Sequence, residues 1–168
     1  ASTGEVGCIG EDFNEALLSS LIAVGCTIPE KNVMVSSGDS KSKVDLLEPC
    51  KELKAKGYTI FATEGTQKFL ADNGVEATVV GWPDDNNSEL KITDMMAGKK
   101  FDLVINIPKN HTRRELTNGY KIRRAAIDHN IPLLTNARLA SAFIHAFCTI
   151  KETDIPIKDW ASYKFAEA

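Results

Sequence analysis

The stretch "YTIFATEGTQKFLADNGVEATVV" (58–80) decides the fold class of this 168-residue chain. Its apolar run at 58–62 predicts a strand, and the segment 64–74, closed by Asn-Gly, predicts a helix. A second strand is predicted at 75–80. Such strand–helix–strand units form parallel sheets, because the chain must cross back over the sheet before its strands can pair.

The same alternation extends to both sides of this stretch. Further strands are predicted at 32–36, 101–107 and 131–135, and a short strand-like piece at 5–9. Further helices are predicted at 11–25, 43–57, 87–100, 118–130 and 137–150. We therefore expect an α/β fold, a doubly wound five-stranded parallel sheet with helices on both faces.

The domain organisation follows from the same pattern. Residues 1–28 are interpreted as an N-terminal strand–helix appendage, joined to the main domain within 26–32. The main domain covers 29–150, and 151–168 form a C-terminal tail with a short helix around 160–165.

Composition narrows the functional classes. The chain is 43% hydrophobic and 26% charged, as ordinary globular domains are. Its net charge of -3 and its pI of about 5.7 argue against nucleic acid or a membrane surface as partner. No apolar stretch has the length of a membrane span, so we expect a cytoplasmic protein without a signal peptide.

Cysteines and histidines predict neither disulfides nor a metal site. The cysteines are widely spaced within apolar patterns, which favours buried, reduced thiols: Cys8, Cys26, Cys50 and Cys148. The histidines lack the spacing of metal ligands: His111, His129 and His145. We expect no metal.

Ligands of such sheets bind beyond the carboxyl ends of the strands, which directs attention to four loops. In "SSGDSKSK" (36–43), Ser37 and Gly38 leave a strand, and Lys41 and Lys43 stand at a predicted helix start. Backbone N–H groups there favour anions, and a lysine adds charge. The alternative is a capped helix with solvated lysines.

The second loop is the Thr-Glu-Gly-Thr turn at 63–66. Thr63 suits a helix N-cap, and Thr66 can also cap locally. Alternatively, the two hydroxyls face a phosphate or carboxylate, with Gly65 allowing close approach. In that case Glu64 should point away from the anion.

Loops three and four carry an aromatic ring and a local excess of positive charge. In "GWPDDNNS" (81–88), Trp82 either stacks on a planar ligand or packs under the loop. Asp84 and Asp85 either take part in acid–base chemistry or stabilise a turn. In the loop that begins at 106, Asn106 ends the most apolar strand. Six basic residues follow it: Lys109, Arg113, Arg114, Lys121, Arg123 and Arg124. Guanidinium groups match phosphate and carboxylate, so the four loops together predict a concave anion site.

Three segments, "FATEGTQKFLADNGV", "FDLVINIPKN" and "GYKIRRAAIDHNIPLLTN", resemble the methylglyoxal-synthase-like fold. Within that group the chain is most similar to the C-terminal regulatory domain of the carbamoyl-phosphate synthetase large subunit. The segment "STGEVGCIGEDFNEALLSS" (2–20) resembles the end of the second ATP-grasp unit, which directly precedes that domain.

This resemblance implies an allosteric domain without catalytic residues or a cofactor of its own. The parent would be a glutamine-hydrolysing ligase of pyrimidine or arginine biosynthesis that uses ATP with Mg or Mn. The implied partners are the rest of the large subunit, the glutaminase subunit and a small anionic effector. The implied effector-binding residues are Ser37, Lys41, Thr63, Thr66, Trp82, Asn106, Lys109, Arg113 and Asn118.

Effectors in this family include UMP, IMP, UTP, phosphoribosyl pyrophosphate and N-acetylglutamate. The basic loop favours a nucleotide such as UMP or IMP, whereas Trp82 matches the N-acetylglutamate-binding version. One alternative is methylglyoxal synthase, which eliminates phosphate from dihydroxyacetone phosphate. Asn118 stands where that enzyme carries an aspartate, leaving His111 and Asp84 as acid–base candidates. A relative of IMP cyclohydrolase would share the Thr-x-Gly-Thr turn but leave the segment 2–20 unexplained.

Overall fold

The computed structural model describes residues 4–108, 112–159 and 162. The strands are β1 (Asn32–Ser37), β2 (Thr59–Ala62), β3 (Thr78–Val79), β4 (Leu103–Ile107) and β5 (Leu133–Leu134). The helices are α1 (Phe13–Ala23), α2 (Ser40–Asp45), α3 (Leu47–Ala55), α4 (Glu64–Asp72), α5 (Ile92–Ala97), α6 (Arg113–Asp128) and α7 (Ala137–Thr149). A 3-10 turn follows at Glu152–Asp154.

The five strands form one parallel sheet in the order β3-β2-β1-β4-β5. The central strand β1 pairs Val33 with Ile60 of β2 on one side and with Leu103 of β4 on the other. The strand order reverses beside β1, which opens a crevice at the carboxyl ends of these three strands. The predicted fold class is confirmed.

Side chains alternate along β1 between two hydrophobic cores, because successive residues of a strand point to opposite faces. Val33 and Val35 pack with α1, α3 and α7, while Met34 packs with α5 and α6. The helix α1 belongs to the first core, since Leu18 is fully buried there. The division at residue 28 stays a prediction.

The segment 43–57 was predicted as a helix that Pro49 either kinks or starts, and it falls on two helices, α2 and α3. Pro49 has no N–H for the carbonyl of Asp45, four residues earlier, and its ring would collide with that carbonyl. The helix breaks there, at Leu46, and Pro49 becomes the third residue of α3, where no intrahelical donor is needed.

The helix α6 begins at Arg113, five residues before the predicted start at 118. Thr112 and Glu115 form a capping box: the Glu115 N–H donates to the Thr112 hydroxyl, and the Thr112 N–H donates to the Glu115 carboxylate. Residues 113–117, the second half of the polar loop predicted at 108–117, are therefore helix. The Thr-x-x-Glu pattern of this box is readable in the sequence, but the basic residues around it were interpreted as loop.

Smaller differences concern other elements. Residues 5–9 form no regular strand, β3 is two residues long, and α5 begins at Ile92 rather than near residue 87. Of the helix predicted around 160–165, only residue 162 is described, so that prediction is not tested. No helix in the described ranges is long and apolar enough to cross a membrane.

All four thiols are free. Cys50 and Cys148 are buried as predicted, and burial raises their pKa to about 12 and about 11. Cys8 and Cys26 are only half-buried, so the prediction of burial was wrong for these two.

Candidate functional site

A cavity of about 180 Å³ lies at the carboxyl ends of β1, β2 and β4, where the strand order reverses. Sixteen residues from five elements and their loops line it: Ser36, Ser37, Gly38, Lys43, Thr63, Gly65, Thr66, Trp82, Asn106, Ile107, Pro108, Glu115, Leu116, Gly119, Ile122 and Arg123.

One wall is a group of four buried hydroxyls, which we call the hydroxyl cluster: Ser36, Ser37, Thr63 and Thr66. The Thr63 hydroxyl lies 3.2 Å from Ser36 Oγ and 3.4 Å from Thr66 Oγ1. Thr66 Oγ1 accepts the Ser37 N–H at 3.0 Å and lies 3.2 Å from the Ser37 carbonyl oxygen. These bonds join the ends of β1 and β2 through side chains.

Thr63 stands at the N-cap position of α4, yet its side chain forms no capping hydrogen bond. The predicted capping hydrogen bond of the Thr63 side chain is therefore wrong. The Thr63 hydroxyl lies against Ser36 and Thr66 instead. Glu64 is exposed and lines a neighbouring groove rather than the cavity.

Ser37 contributes a hydroxyl that is left without a partner. The residue is 5% exposed, and its Oγ atom has no hydrogen bond among the described residues. A buried polar atom in this state costs about 1–3 kcal/mol. Because Ser37 lines the cavity, this unpaired hydroxyl lies beside the space that a ligand would fill.

Lysine enters the cavity from α2, but not at the predicted position. Lys43 Nζ donates to the Gly65 carbonyl oxygen at 2.8 Å, across the first turn of α4. Lys41 is exposed and does not line the cavity. The helix α2 begins at Ser40, three residues earlier than expected, and this start directs Lys43 toward the cavity.

The opposite wall is formed by α6. Arg123 Nη1 donates to Asn106 Oδ1 at 2.8 Å, and Asn106 itself is buried at the end of β4. Gly119 lies one turn before Arg123, and a Cβ atom built there would lie 2.9 Å from Arg123 Nη1. The guanidinium thus occupies the space that a side chain at 119 would need.

The other arginines of α6 are placed differently. Arg114 holds the Asp84 carboxylate with two bonds of 2.8 and 3.2 Å, and Arg124 pairs with Asp128. Arg114 lowers the pKa of Asp84 to about 2, so this carboxylate is a weak base. Arg113 is exposed and does not line the cavity.

Asn118 is 1% exposed, and neither its Oδ1 nor its Nδ2 atom has a hydrogen-bond partner among the described residues. Its amide is close enough to Asp84 to contribute to the low pKa there, although no hydrogen bond of ordinary geometry joins them. Asn118 does not line the cavity, although the next residue, Gly119, does. Lys109 and His111 lie outside the described residues.

Trp82 is half-buried and lines the cavity at the base of the loop that joins β3 to α5. This loop is closed at its base, because the Gly81 N–H donates to the Leu90 carbonyl at 2.7 Å and Ile92 N–H donates to the Gly81 carbonyl at 3.1 Å. A Cβ atom at Gly81 would lie 2.2 Å from that of Ser88. Only glycine fits there.

The cavity combines unpaired and paired hydroxyls, an amide and two cations, Lys43 and Arg123, with one carboxylate, Glu115. Such a set binds a phosphate or a carboxylate. Sequence reasoning named Arg123 only as one of six basic residues and did not single out Gly119. Their spacing of four residues places them on one helix face. In the described ranges, no group of three side chains is arranged to hold a metal.

The family model of the MGS-like domain matches residues 45–135, slightly more than half of the chain. The chain belongs to the MGS-like domain family. The resemblance to methylglyoxal-synthase-like domains is thereby confirmed.

Relatives that match the chain are much longer proteins. The Multifunctional protein pyr1-3 of Dictyostelium discoideum is 40% identical over 95% of this chain and 7% of its own length. The Multifunctional protein URA2 of Saccharomyces cerevisiae is 38% identical over 95% and 8%. The mitochondrial Carbamoyl-phosphate synthase [ammonia] of Homo sapiens is 38% identical over 92% and 10%. The chain thus spans a tenth or less of these relatives.

A solved structure, the methylglyoxal synthase of Elizabethkingia anophelis NUHP1, overlaps 83% of this chain and 94% of its own. The TM-score is 0.47 and the sequence identity 16%, and the fold assignment does not rest on it.

Proposed function

We propose that this chain is the effector-binding regulatory domain of a carbamoyl-phosphate synthetase. A small anionic effector binds in the cavity through a phosphate or a carboxylate, and a nucleotide such as UMP or IMP is the first choice. Occupancy then biases how the domain packs on the rest of the larger protein. Couplings of about 1–3 kcal/mol are typical, so modest differences in contact suffice.

The observation that carries this proposal is the Ser37 hydroxyl, which is buried and unpartnered in a residue that lines a cavity with two cations. A binding site retains such a group because the ligand completes its hydrogen bonds. The relatives named above support the larger context, since one is a carbamoyl-phosphate synthase. ATP, Mg or Mn and a glutaminase subunit would serve that larger protein rather than this domain.

Catalysis by the chain itself is not proposed. Phosphate elimination from a triose phosphate needs a carboxylate that can accept a proton near neutral pH. Asp84, the candidate for that role, is held by Arg114 with its pKa near 2.

A thermal-shift panel tests the proposal on the 168-residue chain. UMP, IMP, UTP, phosphoribosyl pyrophosphate and N-acetylglutamate are added separately. Ornithine is added as a negative control, which should not raise the melting temperature. An effector present at a hundred times its Kd stabilises the folded state by about 2.7 kcal/mol. If none of the anions raises the melting temperature, the proposed function is wrong.

Two lysines provide a matched pair for the same panel. Lys43→Ala removes a cation at the cavity, and the affinity for the effector should fall by about tenfold or more, as expected for a charged hydrogen bond. Lys41→Ala removes the same charge from an exposed position of α2 and should change the affinity little. The reverse result would place the anion outside this cavity.

A further inference from the structure

Arg123 differs from its neighbours on α6 in having no acidic partner. Arg114 and Arg124 form ion pairs with Asp84 and Asp128. Arg123 forms no ion pair with any carboxylate in the described ranges, and its bond to Asn106 leaves most of its five N–H donors available. This guanidinium is half-buried, and no carboxylate of the described residues forms an ion pair that would compensate its charge.

The position of this guanidinium depends on Gly119. Side chains on a helix lean toward its N-terminus, so the side chain at 123 lies over residue 119. A Cβ atom at 119 would be 2.9 Å from Arg123 Nη1, closer than side chains pack. Glycine is otherwise unfavourable in a helix interior relative to alanine. Its presence leaves open the path by which Arg123 reaches Asn106.

We infer that Arg123 contacts the anionic group of the effector and that Gly119 and Asn106 are its positioning residues. This inference rests on the proposed function and adds the residue that recognises the anion. Asn106, fixed at the end of β4, accepts one N–H and so orients the planar guanidinium toward the cavity. The remaining donors match two oxygens of a phosphate or a carboxylate.

Isothermal titration calorimetry with inorganic phosphate and with UMP tests the inference. Arg123→Gln should weaken binding by about tenfold or more. Arg123→Lys keeps the positive charge but lacks the planar guanidinium, so its affinity should lie between those of Arg123→Gln and wild type. Arg124→Gln is the charge-matched control, because Arg124 is exposed and paired with Asp128. It should bind as wild type does.

Gly119→Ala separates positioning from a structural role. Alanine favours the helix, so the melting temperature of the free chain should stay at or above that of wild type. Binding should nevertheless weaken by about tenfold, because the guanidinium is displaced. In the Arg123→Gln background the same change should have no further effect on Kd, since the group that it displaces is gone.

Each failure has its own meaning. If wild type binds a probe and Gly119→Ala binds it equally well, the positioning role is overturned while the proposed function stands. If Arg124→Gln weakens binding as much as Arg123→Gln, the helix acts only through its overall charge and the inference is wrong. If neither probe nor any anion of the thermal-shift panel binds the wild-type chain, the proposed function fails, and the role of Arg123 fails with it.

Discussion

The two walls of the cavity are held in place in different ways. The hydroxyl cluster stands at the carboxyl ends of the paired strands β1 and β2. Ser37 ends β1, and Thr66 lies in the first turn of α4, which follows β2 directly. The opposite wall stands on α6, where the helix begins at Arg113 and the guanidinium of Arg123 lies over the glycine at 119. The order of the strands in the sheet therefore positions the first wall. The second wall depends on which face of α6 points to the cavity.

The largest effect is expected from breaking the wall of hydroxyls. Thr66→Val keeps the shape of the side chain but leaves the buried Ser37 N–H without its acceptor. The free energy of unfolding should fall by about 1–3 kcal/mol in urea titrations. Thr66→Ser, which keeps the hydroxyl, should lose less. A Thr66→Val variant as stable as wild type would show that these bonds do not hold the strand ends together.

A smaller effect is expected at the start of α6. Thr112→Ala removes the side-chain acceptor of the capping box and should cost about 1 kcal/mol of stability. Hydrogen exchange should show the Leu116 amide protected in wild type and less protected in the variant, with Thr112→Ser close to wild type. If residues 113–117 exchange freely in wild type, the helix begins near 118, and the second wall is wrongly described.

The smallest effect concerns the ion pair that ties α6 to the loop after β3. Arg114 holds the pKa of Asp84 near 2, below its value of about 3.9 in an unfolded chain. The pair therefore stabilises the fold above about pH 4, and this contribution is lost as the pH falls toward 2. Asp84→Asn should flatten the pH dependence of urea unfolding in that window, only modestly because the pair is exposed.

An NMR titration provides the check on this last expectation. The Asp84 carboxyl should titrate near pH 2 in wild type and closer to its ordinary value in Arg114→Gln. An ordinary pKa in wild type would mean that the pair does not form in solution.

The difference between the walls also explains what the sequence could predict. Ser37, Thr63, Thr66 and Asn106 were expected at the site and line the cavity, because the carboxyl ends of adjacent parallel strands must meet. Trp82 follows β3 and was expected for the same reason.

The charged side chains were harder to predict, because their directions depend on where a helix begins. A start three residues earlier in α2 brings Lys43 rather than Lys41 to the cavity. A start five residues earlier in α6 turns loop residues into helix and gives Arg123 a defined direction. Hydrophobic periodicity predicts whether a segment is a helix or a strand. The residue at which a helix begins depends on capping side chains such as Asp39 and Thr112, whose hydrogen bonds are seen only in the structure.

The closed base of the loop after β3 affects how this family can vary. Gly81, Leu90 and Ile92 are joined by backbone bonds, so the loop leaves and rejoins the domain at one place. The entropy of closing a loop grows slowly with its length, by about 0.6 kcal/mol for each doubling. Insertions into the loop after Trp82 should therefore reduce stability little and leave the Trp82 ring in its position at the cavity. Homologous chains can diverge at the tip, gaining new contacts there while the cavity keeps its shape.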